Sequence, residues 1–528
     1  MITRVLTFLF SCFLAINLIS STRLVPSQYN TIQLALSACL AGDTVLVQPG
    51  TYIENLIWPN IANIKLISTG NATNTIIDAN FSGRCITITP TNTLTIDTNT
   101  VVEKFKLRNG YLNALGQTGS AIYSTGNGLS IKACDIIDNE INISHSQNSY
   151  SALDARGSLL IIYNSIISNN KTTTFGFNNS YIINCNEIKL YDSFVNSNIL
   201  NTNDTTAYNY MSSSVLLVRS NFDLKRTVIQ NNVINMSSMS NSVNADGSLI
   251  YSSITYSLKN ASIVNCLITD NKTNVVGSGT STWHVGQIYI REHANAYFYI
   301  KSSTICNNSI NNTTDTIYHN VISYLVTSTL PSMNCYVPRV FVVENSIIRN
   351  APNSREIYID VPCGYGPRKV VNSNINMPTS TATFSNCINT NPLFVSATDF
   401  HLQSSSPCVS AGIMDTLVVD DLEHHSRPFP MGTNPDMGCY EINQFDTGVR
   451  SNNALSDFLI FPSPVTDKLY FNNDKKIDKL EVINLQGQIV IIENNPDNSV
   501  DCQNLNNGVY FLKIYTKNDV KTMKFMKQ

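Results

Sequence analysis

One pattern of apolar and polar positions recurs through the middle of the chain. A short aliphatic run leads to a small polar residue, then a second apolar pair, then asparagine, as in Leu129 to Asn139, Leu159 to Asn169, Phe222 to Asn231 and Phe298 to Asn308. Anchoring each copy on the first apolar residue of its second pair gives Phe105, Ile136, Ile166, Phe194, Val228, Ile263, Ile305, Ile347 and Ile375, at spacings of 31, 30, 28, 34, 35, 42, 42 and 28. Periods of about 20 to 50 residues mark solenoids and propellers. Each unit has a second strand-like run upstream, such as Ser120–Tyr123, Ser248–Tyr251 or Gln287–Ile290, and nothing with a helical period lies between the two. A propeller blade needs four antiparallel strands in about 40 to 45 residues, and the shortest unit here has 28. The pattern therefore predicts an all-β solenoid of about ten stacked parallel rungs.

The residue before each anchor is small and polar: Asp135, Ser165, Ser193, Thr227, Ser262, Thr304, Ser346 and Asn374. Stacked at the roughly 4.8 Å spacing of adjacent strands, these side chains are expected to form a hydroxyl and amide ladder. The pairs Asn169-Asn170, Asn231-Asn232 and Asn307-Asn308 are expected to close each rung, because asparagine tolerates the left-handed backbone of a sharp corner.

The two ends have a different texture. Residues 1–21 carry one early cation, Arg4, and an apolar run from Val5 to Ile19 that ends at Ser20 and Ser21, which reads as a secretory signal. Leu9 to Cys12 loosely matches a lipoprotein box, but more apolar sequence follows, so simple cleavage near Ser21 is expected. No second stretch approaches the roughly 20 residues a membrane span needs, so the mature chain is expected to lack a transmembrane segment. Residues 22–443 hold the repeat and its amino-terminal cap, 444–457 read as a linker, and 458–528 form a separate module rich in lysine (Lys475, Lys476, Lys479, Lys513, Lys517, Lys521, Lys524, Lys527). Its short runs Lys468–Phe471, Lys479–Asn484, Gln488–Ile492, Gly508–Tyr515 and Lys521–Met526, broken by asparagine and glycine, predict a small antiparallel β-sandwich.

Phe461-Pro462-Ser463-Pro464, Leu480 to Gly487, Leu505 to Ile514 and the basic tail together resemble the C-terminal sorting domain of the type IX (Por) secretion system of Bacteroidetes, with Ser463 where that family usually has asparagine. The resemblance implies carriage across the outer membrane by the type IX machinery, with the cargo secreted or held on the cell surface. The stretch from Tyr29 to Glu54, with an amphipathic segment at Thr31–Leu40, and the closing segments Asn391–Phe394, Ser406–Gly412 and Asp436–Glu441 resemble right-handed parallel β-helix proteins of the pectin-lyase-like superfamily. That fold hosts lyases, hydrolases, adhesins and scaffolds alike, so it leaves function open.

Composition narrows the field. Charged residues are 13% and hydrophobic residues 43%, a balance that argues for folding rather than disorder. With 34 basic and 37 acidic residues the net charge is −3, which offers no footprint for a nucleic-acid backbone. The 13 cysteines form no CxxC pair, so zinc-ribbon and thioredoxin-like chemistry lacks its local geometry. Cys335 and Cys363 are expected to be bridged, and Cys408 with Cys439 as a second pair, while Cys134, Cys266 and Cys387 read as small buried hydrophobes.

Reaction motifs are scarce: there is no GxSxG, HExxH, Walker loop or Rossmann fingerprint. Asp135 and Asp192 lie near equivalent positions two rungs apart, and Asp138, Asp204 and Asp270 read as corner or loop carboxylates. The informative units are the lengthened ones, because long excursions from a rigid scaffold are where binding groups are mounted. In three successive late units the inter-strand loop brings Arg291, Glu292 and His293, then Tyr336 and Arg339, then Tyr365 and Arg368, which are expected to form one patch. Aromatic rings and guanidinium groups suit sugar rings and carboxylated glycans. The bland alternative is loop packing. Trp283 and His284, placed in a corner loop, would form a second surface with Tyr318 and His319, while Trp58 and the pair His424-His425 read as capping and solvent-facing residues.

The leading expectation is a monomeric glycan-binding or polymer-binding protein with no catalysis, no metal and no cofactor. Its rivals are a polysaccharide lyase or glycoside hydrolase, with calcium only in the lyase case, and a structural adhesin stalk.

Overall fold

The computed structural model describes residues 20–442 and 459–528, apart from 94–95, 145–148, 177–178, 205–209, 239–243, 255–258, 278–282, 293–295, 313–316, 327–337, 351–354, 361–365, 377–381, 462–464, 473–476, 486, 497–498 and 517–518. The chain divides into two compact units, residues 1–444 and 445–528. The expected signal segment lies almost wholly outside the described residues.

The first unit is a parallel β-helix. One turn runs through Val228–Gln230, Val233–Ser238, Asn244–Ile254 and Lys259–Val264 before Leu267–Thr269 returns directly beside Val228–Gln230, with Val228 opposite Leu267. Among the described residues, eleven strands from Gly50–Ile53 to Asn374–Ile375 form one sheet, and seven from Tyr111–Leu112 to Ser309–Asn312 form a second. Twenty-one strands form a third. That last sheet joins two strand files, because Ser149–Tyr163 and Asn179–Tyr191 run unbroken through the corner between them, with a register break after Ala155.

The core follows from side-chain alternation. Leu107, Ile136, Ile167, Val195, Ile229, Ile268, Ile305, Ile348 and Ile375 occupy one file of the eleven-strand sheet and are all fully buried. Burying an aliphatic side chain of this size contributes roughly 1.5–3 kcal/mol, and each one rests on the next rung as well as on the opposite walls.

This register corrects the spacing read from the sequence. The file before it runs Asp135, Ile166, Phe194, Val228, Leu267, Thr304, Ile347, Asn374. Ile166, Phe194, Val228 and Ile347 are therefore true equivalents, whereas Ile136, Ile305 and Ile375 stand one residue late and Ile263 belongs to the preceding strand. The small-residue file is Cys134, Ser165, Ser193, Thr227, Cys266, Ser303, Ser346 and Ser373. Backbone N–H groups donate up this file, from Cys134 to Ser165, Ser165 to Ser193, Cys266 to Ser303, Ser303 to Ser346 and Ser346 to Ser373, at 3.1–3.3 Å. Asp135 and Asp192 are not equivalent: Asp192 lies in a corner beside Asn164 and Arg226.

Two corner files take up the left-handed backbone. One holds Ala133, Asn164, Asp192, Arg226, Asn265, Ser302 and Asn345, and the other Asp138, Asn169, Ser197, Asn231, Asp270 and Asn307, with φ between 46° and 56°. The first asparagine of each pair makes the turn, as expected. The second does something the sequence did not announce. Asn139, Asn170, Asn198, Asn232, Asn271, Asn308 and Asn350 form a continuous amide ladder, each Nδ2 donating to the next Oδ1 at 2.9–3.1 Å.

The seven-strand sheet lies against the first halves of the strands that follow it. Small hydroxyl residues bridge the layers, with Thr174 and Ser180 oxygens 2.8 Å apart and those of Thr202 and Ser213 2.6 Å apart, all four side chains buried. A helix, Ile32–Ser37, caps the first turns; Thr31 accepts from Leu34 N, and the Glu54 carboxylate accepts from the N–H groups of Ile32 and Gln33. Trp58 is buried in the core beside this cap.

Residues 391–442 were expected to close the last rung. Instead they run along the outer face of the eleven-strand sheet. Phe400 and Cys439 pack on Val228, Leu267 and Cys306, and Leu402, Cys408 and Met437 pack on Ile347. Cys439 N donates to Thr304 Oγ1 at 3.1 Å, and Lys301 pairs with Asp415 at 2.5 Å.

The second unit is antiparallel. Leu459–Phe461, Lys468–Asn472 and Ser499–Asp501 form a three-stranded sheet, and Ile477–Asn484, Ile489–Asn494, Gly508–Thr516 and Asp519–Lys527 a four-stranded one. Leu469, Phe471, Leu480, Val482, Leu512, Ile514 and Phe525 share its core.

Candidate functional site

The strands that flank the three late loops are in register in successive rungs. Arg291 and Glu292 end the strand Trp283–Glu292, opposite Leu325 and Val326 of the next rung. Arg339 opens Arg339–Glu344 and Arg368 opens Arg368–Val371, where Arg368 pairs with Phe341, two residues beyond Arg339. Arg339 corrects the expected patch: its side chain is fully buried within a strand buried along most of its length, so no ligand reaches it. Arg368 is half-buried. His293, Tyr336, Tyr365, Cys335 and Cys363 lie outside the described residues.

Trp283 and His284 stand in a strand rather than a corner loop. The period had hidden this, because the strand extends beyond the core wall alongside the seven-strand sheet. His284 pairs with Tyr318 and Val285 with His319, so the four expected residues do occupy neighbouring strands. Cys408 and Cys439 are both free thiols. The expected bridge is replaced by separate packing, Cys408 near Ile347 and Cys439 near Val228.

The outer face of the seven-strand sheet carries a second, accessible amide ladder that sequence reasoning missed. Asn142, Thr173, Asn201, Asn235, Asn274 and Asn311 are in register. Asn235 donates to Asn201 at 2.8 Å, Asn274 to Asn235 at 2.8 Å and Asn311 to Asn274 at 2.9 Å, while Asn201 reaches Thr173 Oγ1 at 3.2 Å. An asparagine side chain offers two N–H groups and two carbonyl lone pairs. The ladder uses one of each, so each rung presents a further donor and acceptor outward at about 4.8 Å intervals. The signal was present as asparagine at the third position of Ile199–Asn203 and of its neighbours Val233–Ser237 and Lys272–Val276.

On the twenty-one-strand sheet, the outward file Asp154, Asn184, Leu217, Tyr251, Tyr289 is closed to solvent. The rings of Tyr251 and Tyr289 stack at 5.4 Å and 9°. Asp154, fully buried, accepts from Thr118 Oγ1 at 2.8 Å and pairs with Arg156 at 2.6 Å. Thr118 and Arg156 satisfy the Asp154 carboxylate and tie neighbouring rungs of this sheet together.

The covering segment collects buried carboxylates for a similar reason. Asp421 accepts from the N–H groups of Glu423, His425 and Glu441, and Asp436 from those of Ser410 and Ile442. Irregular backbone leaves such donors without sheet partners, and carboxylates supply the acceptors. Asp399 and Glu423 flank His401 at 2.6 and 3.3 Å, and its ring stacks on Tyr440 at 3.9 Å. The imidazole fills the space between the two carboxylates that a glycosidic bond would need. Among the described residues no cluster of three or more His, Cys, Asp or Glu is placed for a metal ion.

The antiparallel unit carries an address: residues 459–528 match the secretion system C-terminal sorting domain. The tail is a type IX sorting domain. No curated protein and no solved structure matches the chain. With this sorting domain the protein is exported, to the cell surface or the medium, and the secretion machinery is a partner. Among the described residues no helix is long and apolar enough to cross a membrane.

Proposed function

We propose that the β-helix is the exported cargo and that it binds glycans or other extracellular polymers through its outer faces, without catalysis. The observation that supports this most directly is the accessible amide ladder of Asn201, Asn235, Asn274 and Asn311. It is a row of hydrogen-bonding groups fixed in advance at a regular interval, so a polymer with hydroxyl or carbonyl groups along its length loses little entropy of the protein side on binding. The loop ends near Arg291, Glu292 and Arg368 are a further place for contacts with carboxylated sugars. Lyase and hydrolase readings of the pectin-lyase-like fold, and a plain adhesin stalk, are the competing functions.

A panel of immobilised glycans, assayed both for retention of the protein and for release of unsaturated or reducing-end products, separates the three. Retention without product supports binding. Product of either kind replaces it with an enzyme. Neither retention nor product leaves the stalk.

A further inference from the structure

We propose that Tyr163, Ile166, Tyr191 and Phe194 form a stacking subsite for the pyranose rings of a neutral glycan. The inference rests on the glycan-binding reading above and gives it a location.

The four residues belong to two stacked corners. In one outward file Lys132, Tyr163, Tyr191 and Lys225 succeed each other from rung to rung, and in the next Asp135, Ile166, Phe194 and Val228 do the same. Tyr163 is 46% exposed, Ile166 39% and Phe194 46%, and Tyr191 is half-buried. Two exposed apolar pairs, two rungs deep, therefore flank the Asn164 and Asp192 corner, with Lys132 and Asp135 on the rung before and Lys225 on the rung after.

This exposure is specific to these two rungs. The same file continues through Val228, Leu267 and Ile347, and there residues 391–442 cover it. The cover touches the second of these rungs at its corner, where His424 pairs with Asp192 at 3.2 Å, and Asp420 pairs with Arg226 of the next rung at 3.0 Å. The chain thus seals this outer surface wherever it is apolar in the later rungs and leaves Ile166 and Phe194 bare.

Size and chemistry select the occupant. Two rungs span roughly 10 Å, the dimension of one or two sugar rings, whereas a stable protein interface needs about 800 Å² from each partner. Aromatic faces meet the C–H faces of pyranoses, and carboxylates at the rim accept from sugar hydroxyls. Both kinds are present, with Asp135 and Asp223 at the rim beside Lys132 and Lys225. Tyr191 is fixed before any ligand arrives: its hydroxyl donates to Asp223 Oδ2 at 2.5 Å, and Ser262 holds the other oxygen of the same carboxylate. Opposite charges alternate around these pairs, which favours a neutral chain over a polyanion.

The test uses the full chain on immobilised glucan, xylan, mannan and polygalacturonate. Wild type is expected to be retained by at least one neutral polymer, and the double variant Tyr163→Ala/Phe194→Ala to lose at least tenfold in affinity for it with an unchanged circular dichroism spectrum. Nitration of tyrosines in the wild type is a second measurement free of any folding defect, and the retained glycan should protect Tyr163. If wild type binds but the double variant binds equally, or Tyr163 stays unprotected, this site is wrong while the broader reading stands. If only polygalacturonate is retained, the neutral-glycan assignment is overturned. If no polymer is retained, the broader reading itself fails.

Discussion

Asn232 Nδ2 lies 2.9 Å from Asn271 Oδ1, although the two residues are 39 positions apart. The same amide reaches the carbonyls of Val195 and Gln230, and its Oδ1 accepts from both the N–H and the Nδ2 of Asn198. Replacing Asn232 with alanine strands several buried groups, each costing about 1–3 kcal/mol. The Asn232→Ala variant is expected to lose about 3 kcal/mol or more, read from the denaturant midpoint, whereas Asn231→Gly, at a left-handed corner, should change it little.

The cysteines stand in for serine. Cys134 Sγ donates to Lys132 O at 3.2 Å and Cys266 Sγ to Val264 O at 3.3 Å, as Ser165 Oγ does to Tyr163 O and Ser346 Oγ to Glu344 O. Burial pushes both thiols up to about 12, so neither supplies a thiolate at neutral pH. Thiol-specific reagents should leave Cys134 and Cys266 unlabelled until the protein is unfolded, and Cys134→Ser should keep stability within about 1 kcal/mol of wild type because its neighbours already use that hydroxyl.

The inner amide ladder ends on Glu356, whose two oxygens accept from Asn350 N and Nδ2 at 3.0 Å each. Burial outweighs those bonds and pushes this carboxyl from 4.5 up to about 7. The folded state therefore holds the proton more tightly than the unfolded chain, so stability from this site is greatest below about pH 4.5, falls as pH rises, and levels off above about 7. In Glu356→Gln that slope should be flatter between pH 5 and 8, as measured by thermal unfolding. An unchanged slope would remove Glu356 as its source.

His401 has the opposite charge but the same sense of pH dependence. Partial burial draws it toward the neutral form, yet hydrogen bonds to Glu423 and Asp399 win and push it from 6.5 up to about 9. Its contribution is fully present below about pH 6.5 and is lost as pH rises through about 9. The imidazole resonances of His401 should titrate near 9 in an NMR experiment, and Asp399→Asn should bring that midpoint down.

How much of this could be read beforehand varied with the kind of pattern. The pair of apolar residues in each repeat announced a solenoid, but not which member faced inward. Ile167 points into the core while Ile166 points out, and both are isoleucine, because the outer file is itself apolar from Ile166 to Leu267, exposed at Ile166 and Phe194 and covered by residues 391–442 from Val228 onward. Alternation carries register only when one face is polar. The same blindness hid the covering segment, whereas Arg339 was read as the end of a loop and in fact opens a strand. The outer ladder was missed because its asparagines are spread over rungs of unequal length, and only strand pairing aligns them.

The sequence by itself determined the all-β solenoid, its left-handed asparagine corners and the sorting domain at its end, since each rests on residues close together in the chain. The tertiary structure alone decided which asparagines meet, which apolar residues stay bare and which arginine is sealed away. Those outcomes depend on contacts between rungs about 28 to 42 residues apart, and a one-residue change of register exchanges every inward side chain for an outward one.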